Sequence, residues 1–192
     1  AVRDVGAMTQ RAVVISTTTA CPFLHQVEGS QRCNNFHEGT MNFLTQMEQG
    51  TVVIAYSPSH KIYESGRASW SKTLTTLVES GHDVVLIGPM PLIGQEPKFN
   101  PRSCSLNQVT TEDCFFNFDK SDVTDIVLKQ ETDFRNASEN TGVQFFSLVD
   151  QLCGDGKCET KIEDKLIYRD PSHLSVSANT LLIKELEVVI NG

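Results

Sequence analysis

Four short apolar runs, separated by helical patterns, constrain the fold of this chain more than any other feature. The runs are Ala12–Ile15, Thr51–Ala55, Asp83–Gly88 and Val143–Leu148. Each is rich in β-branched or aromatic residues and bounded by turn formers, which marks a strand. Their near-continuous apolarity suits a parallel sheet covered on both faces. Trp70, Leu74, Leu77 and Val78 share one helical face, and Gly81 stops that helix. Val123, Ile126, Val127 and Phe134 mark a second helix, with Asp119 or Ser121 near its start. Ala178, Leu181, Leu182, Leu186 and Val189 form the face of a C-terminal helix, and Thr40, Phe43, Leu44 and Met47 suggest a shorter one. The alternation predicts an α/β fold: a three-layer α/β/α, doubly wound parallel sheet. No repeat, low-complexity tract or linker divides residues 1–192, so a single domain is expected. Pro89 to Phe118 reads as one long loop.

Charge and cysteines narrow the setting. The net charge is −8, and lysines 120, 129, 157, 161 and 165 are scattered among carboxylates. Nucleic-acid binding rests on neutralising phosphates, so that class is excluded. No run of about 18 apolar residues exists to span a membrane. The six cysteines fall into three local pairs, Cys21 with Cys33, Cys104 with Cys114 and Cys153 with Cys158. Each pair brackets a polar loop, which predicts disulfides and an oxidising compartment, with free thiols as the alternative. No Cys-x-x-Cys occurs, and no histidine stands near a cysteine pair at zinc-ligand spacing except His25 and His37 around the first pair, which sit in loops. No phosphate-binding glycine loop or dinucleotide fingerprint appears, so no cofactor and no metal are expected.

In open α/β sheets, ligands bind beyond the carboxyl ends of the strands. The segments to inspect are Ser16–Thr19, Tyr56–Ser59, Gly88–Pro91 and the loop leading to Asp170. The strongest chemical signal is Tyr168 to Ser175, which contains Asp170–Pro171–Ser172–His173. Asp and His three residues apart can point into one cleft. His173 can take a proton from a nucleophile, and Asp170 can accept the other ring N–H and fix the tautomer. Pro171 stiffens the segment, Leu174 can anchor it, and Ser175 can cap the following helix. The plain alternative is a turn whose side chains only cap backbone groups. Ser16 ends a predicted strand and is a lesser candidate nucleophile. His25, His37, His60 and His82 sit in polar stretches and read as surface histidines, whereas Trp70 reads as core.

The Asp170–His173 segment, continued by Leu174 and Ser175, resembles the last block of SGNH hydrolases. The version with Leu-Ser and an apolar helix is similar to the SGNH domain fused to membrane acyltransferases of the acyltransferase-three family. Ala20–Leu24 with Cys33 is similar to that group's Cys-Pro-Pro-Leu segment and later cysteine. Trp70, Leu74, Gly81 and Val84–Pro91 resemble its Trp…Leu…Gly…Val-Val-Leu-Val-Gly-Pro-Val-Pro stretch. The order holds from about Arg11 to the C-terminus.

The resemblance implies a flavodoxin-like SGNH fold on the periplasmic side of a bacterial inner membrane. It implies acetyl transfer to a cell-surface polysaccharide hydroxyl, such as lipopolysaccharide O-antigen, through Ser, His and Asp. The partners implied are an acyl donor delivered by a membrane acyltransferase domain and a polysaccharide acceptor. Contact with the membrane would come only through an upstream domain. The family's nucleophile lies in a Gly-Asp-Ser block after its first strand, and no Gly-Asp-Ser occurs here. Ala12–Ile15 then matches the family's second strand and residues 1–10 the tail of its first helix. The first strand and its serine are expected upstream, outside this chain. No Gly-x-Asn oxyanion segment follows Thr51–Ala55; Tyr56 and Ser57 stand there instead. Two rival readings share these residues: an extracytoplasmic carbohydrate esterase, and an inactive domain that binds glycan or a partner.

Overall fold

The computed structural model describes residues 1–10, 12–18, 21, 23, 29–55, 69–92, 118–163, 165–170 and 173–191. Its centre is a parallel sheet of three strands: β1 (Thr51–Ile54), β2 (Asp83–Ile87) and β4 (Gln144–Phe146), in the order β1-β2-β4. Thr51 stands opposite Asp83, and Val85 opposite Gln144. The period-2 alternation of β2 sends Val84 and Leu86 into one core and Val85 into the other. Both faces are therefore covered, as the apolar runs require.

One layer is built from α2 (Gln31–Leu44), α3 (Trp70–Glu79) and the Phe134 region of α4 (Asp125–Thr141). In the other lie α5 (Leu148–Leu152), α6 (Val176–Leu181) and α7 (Ile183–Asn191), with the start of α1 (Val2–Met8) packed against α7. α3 ends as its sequence dictates. Gly81 takes φ +83°, which lets its N–H reach the Val78 carbonyl and the His82 N–H reach Leu77. Short antiparallel pairs surround the sheet: β3 (Phe118–Asp119) with β5 (Lys157–Cys158), β6 (Lys161–Ile162) with β7 (Lys165–Leu166), and β8 (Tyr168–Asp170) with β9 (His173–Leu174).

Several expectations need correction. Ala12–Ile15 is not a strand: residues 12–18 are extended without pairing, and Val14 and Ile15 are exposed. β-propensity was present, but a strand also needs a neighbour, and β1 stands away from this segment across a groove. α2 is longer than expected because Ser30 caps it by accepting from the Cys33 N–H. Its buried face is Cys33, His37 and Met41, while Phe43 and Met47 are exposed. Val78 of α3 is exposed too. The C-terminal helix is broken at Leu182 into α6 and α7, although Ala178, Leu182 and Leu186 are buried as the pattern requires. Asp119 caps a 3₁₀ turn over residues 120–122 rather than α4, whose N-cap is Thr124.

Disulfides join Cys21 to Cys33 and Cys153 to Cys158, as the local pairing predicts. Cys104 and Cys114 lie outside the described residues, as does most of Pro89–Phe118. No described helix is long and apolar enough to cross a membrane.

Candidate active site

The Asp170–His173 pair is built by the β8–β9 hairpin. Asp170 closes β8, His173 opens β9, and the two are register partners. Tyr168, two residues before Asp170, is buried, and its hydroxyl donates to the Pro91 carbonyl at 3.0 Å. Burial drives the Tyr168 pKa upward, so the phenol stays a donor. Pro91 follows the carboxyl end of β2, so this bond ties the hairpin to the end of the sheet beyond which open α/β sheets bind their ligands. On the other side, Leu174 packs against the core, and Ser175 caps α6 by accepting from the Ala178 N–H at 3.0 Å. The Ser175 hydroxyl also donates to the Leu166 carbonyl. The anchoring and capping roles expected for these two residues are both present.

Asp170 is 4 % exposed, and its Oδ1 lies 2.7 Å from His173 Nδ1. A carboxylate can only accept, so the shared hydrogen belongs to Nδ1. A neutral imidazole then carries its acceptor lone pair on Nε2. The His173 side chain is 58 % exposed, so the ring is open to a reacting group. Arg169 Nε and Nη2 each lie 3.4 Å from Asp170 Oδ2 and supply positive charge beside the buried carboxylate. The arrangement can orient a base, accept a proton at Nε2 and stabilise the resulting imidazolium. Pro171 and Ser172 lie outside the described residues.

The remaining candidates fare differently. Ser16 is exposed, with its hydroxyl 3.2 Å from that of Thr40 on α2, so its described partner is not His173. Tyr56, Ser57, His25 and His60 lie outside the described residues. His37 and His82 are buried, not surface residues. His37 Nε2 lies 3.3 Å from Thr73 Oγ1, with the Phe23 ring 5.0 Å away. His82 Nε2 donates to the Leu44 carbonyl at 2.9 Å and its Nδ1 accepts from the Gly50 N–H at 3.2 Å, tying α2 to the turn that precedes β1. Both positions were set by distant partners that the polar sequence around them does not reveal. Trp70 is core, as expected.

A second polar cluster at the strand ends was not anticipated. Glu131, buried on α4, accepts from the Ser147 hydroxyl just after β4 and from Arg135 Nη2 at 3.2 Å. Its Oε2 is buried without a hydrogen-bond partner, 2.9 Å from where a Cβ on Gly88 would stand. Burial raises the Glu131 pKa above 4.5, and the Ser147 hydrogen bond opposes this. Arg135 also meets Asp150 at 2.8 Å. Burial opposes the Asp150 charge, but hydrogen bonds from Arg135 and Lys120 outweigh it and hold its pKa below the usual value. The available signal was a carboxylate four residues after Val127 and three before Phe134, inside the apolar stripe.

Because folding raises the Glu131 pKa, the native state binds its proton more tightly than the unfolded chain. The contribution is fully present below pH 4.5 and is lost as pH rises through the folded value. Glu131→Gln keeps an acceptor for Ser147 and removes the titration. Its unfolding free energy is expected to gain on the wild type as pH rises above 4.5. Urea titrations at stepped pH check this, and parallel curves for the two proteins would contradict it.

With the geometry in place, the chain can be set beside known proteins. No curated protein sequence matches it. Its fold is similar to the "Salmonella ser. Paratyphi A lipopolysaccharide acetyltransferase periplasmic domain", with TM-score 0.69 and 15 % identity. That alignment covers 99 % of this chain and 77 % of the Salmonella chain. The sequence pattern described as "SGNH domain (fused to AT3 domains)" matches residues 1–187. This chain belongs to the family of SGNH domains fused to AT3 domains.

Proposed function

We propose that this domain passes an acetyl group from a donor delivered by a membrane acyltransferase domain to a hydroxyl of a cell-surface polysaccharide. The work is done on the extracytoplasmic, periplasmic side of the membrane. The observation that carries the proposal is the 2.7 Å pair of buried Asp170 and exposed His173 on the hairpin tied to the carboxyl end of β2. The two disulfides fit an oxidising compartment. The serine nucleophile is supplied by a Gly-Asp-Ser block outside these 192 residues.

In this mechanism, His173 Nε2 takes the serine proton as Oγ adds to the acetyl carbonyl. The imidazolium, held by Asp170, gives that proton to the departing donor oxygen or sulfur, and an acetyl-serine remains. A sugar hydroxyl then loses its proton to His173 and adds to the ester. Collapse returns the serine oxygen, which takes the proton back. Water in place of the sugar gives an esterase, and the exposure of His173 admits water as well.

The acceptor decides between the two readings. Membranes bearing the full-length polypeptide are supplied with isotope-labelled acetyl donor and polysaccharide. Label is expected on the polysaccharide, in excess over free acetate. Acetate as the dominant product, unchanged by added polysaccharide, would replace transfer with hydrolysis. Label in neither product would leave the binding role.

A further inference from the structure

Arg169 stands where a regular hairpin would not put it. Side chains alternate along a strand, so Tyr168 and Asp170 should share one face and Arg169 take the other. Tyr168 and Asp170 are buried accordingly. Tyr168 lies opposite Leu174 and Asp170 opposite His173, so three residues of β8 face two of β9, and Arg169 is the extra one, in a bulge. A bulge re-aims the side chain it carries. Here the guanidinium turns back to Asp170, with Nε and Nη2 both on Oδ2. Oδ1 of the same carboxylate is held by His173 Nδ1. Guanidinium and imidazole therefore flank one carboxylate.

This pairing does not use the arginine fully. A guanidinium fork fits a carboxylate with two parallel hydrogen bonds, one to each oxygen. Asp170 offers only Oδ2, and both contacts are long at 3.4 Å. The Arg169 side chain stays 62 % exposed, and Asp170 is its polar partner among the described residues. The second fork, between Nη1 and Nη2, thus has Nη1 unused there. An ion pair this exposed contributes little to stability, so stability does not account for the bulge.

We propose that Arg169 is an acceptor-binding residue: its second fork takes a carboxylate carried by the sugar that is acetylated or by the adjoining one. The substrate class is then a polysaccharide that contains a hexuronic acid or another carboxylated sugar. A planar fork matches a planar two-oxygen anion better than it matches single hydroxyls. The net charge of −8 repels an acidic polymer at long range, and a cation beside the base offsets this where the reacting hydroxyl must sit. Fork and base are anchored on the two oxygens of one side chain, so carboxylate and hydroxyl are held in fixed register. The seat rests on the hairpin geometry. Its use in transfer rests on the function proposed above.

The probes are the methyl glycosides of glucuronic and galacturonic acid, each compared with its uncharged carboxamide, which keeps every hydroxyl. In the first arm they are titrated into the 192-residue chain, with binding read from the NMR signals of arginine Nε–H groups and of the hairpin backbone. At least one acid should bind about tenfold or more tightly than its amide, as charge-assisted bidentate pairing requires. Arg169→Gln should erase that preference. Arg169→Lys, which keeps the charge without the fork, should retain only part of it. In the second arm the full-length polypeptide transfers labelled acetyl to the same sugars. The ratio of kcat/KM for acid over amide should fall by about tenfold in Arg169→Gln. Any loss shared by both acceptors through Asp170 cancels in that ratio.

Equal or undetectable binding of acid and amide in both pairs would overturn the inference, and that comparison needs no variant to fold. So would a preference that survives Arg169→Gln. Transfer that falls equally for acid and amide in that variant would also overturn it, leaving Arg169 as a support for Asp170 alone. Preferential binding of the acid without transfer by the full-length polypeptide supports the site and counts against the catalytic reading.

Discussion

Replacing His173 with alanine in the full-length polypeptide is expected to lower acetyl transfer by roughly 10³-fold or more, and Asp170→Asn by a similar factor. The two act at different points of one device. His173→Ala removes the exposed base that the hairpin presents, so neither the serine nor the sugar hydroxyl loses its proton. Asp170→Asn keeps shape and most packing but can offer an N–H to Nδ1. That favours the wrong tautomer and removes the charge that stabilises the imidazolium. Because the residues work as a unit, the double variant should be little worse than either single one. Stability separates the roles. His173 is exposed, so its loss should shift unfolding of the 192-residue chain by about 0.5 kcal/mol or less. Asp170 is buried between His173 and Arg169, so Asn should cost about 1–3 kcal/mol. Transfer rates within a few-fold of wild type for His173→Ala would remove the hairpin from the chemistry.

The parts that were legible in the sequence share one property: their local pattern and tertiary setting agree. β2 is apolar at every position that a doubly covered strand must bury, and Gly81 stands where α3 needs a left-handed residue. Cys153 and Cys158 close a short polar turn, and Asp170 and His173 need only a hairpin to meet. The misreadings arose where a distant partner decides. Residues 12–15 have strand composition but no strand beside them. His37 and His82 lie in polar stretches, yet Thr73 and the Leu44 carbonyl, far along the chain, draw them inside. Glu131 drew no reading from its sequence, because only the return of β4 brings Ser147 over it. Leu182 shows the same limit in reverse: the apolar period runs on through a break that only the backbone reveals.

Phe134→Ala is expected to destabilise the domain by about 3–5 kcal/mol, the cost of removing a large side chain from a core that cannot collapse. Phe134 is fully buried on α4. Its ring meets Trp70 of α3 edge-on, with centroids 4.6 Å apart and planes at 70°. It meets Phe145 of β4 at 6.3 Å and 83°. Three elements thus share one side chain, and the two ring contacts add to the area it buries. Arg135 lies over the opposite neighbour, its guanidinium 5.3 Å from the Phe145 centroid, so the cavity cannot fill without disturbing the Arg135–Asp150 pair. Total stabilities of about 5–15 kcal/mol make this loss a large fraction of the whole. Urea unfolding should show a much lower midpoint with an unchanged slope, because the surface exposed on unfolding barely alters. Phe134→Leu, which keeps most of the volume, should recover the greater part of the loss. A loss below about 1 kcal/mol for the alanine variant would mean that α4 is not held to the sheet through this ring. The position of Glu131 against Ser147 would then need another anchor, since it lies one helical turn before Phe134 on the same helix.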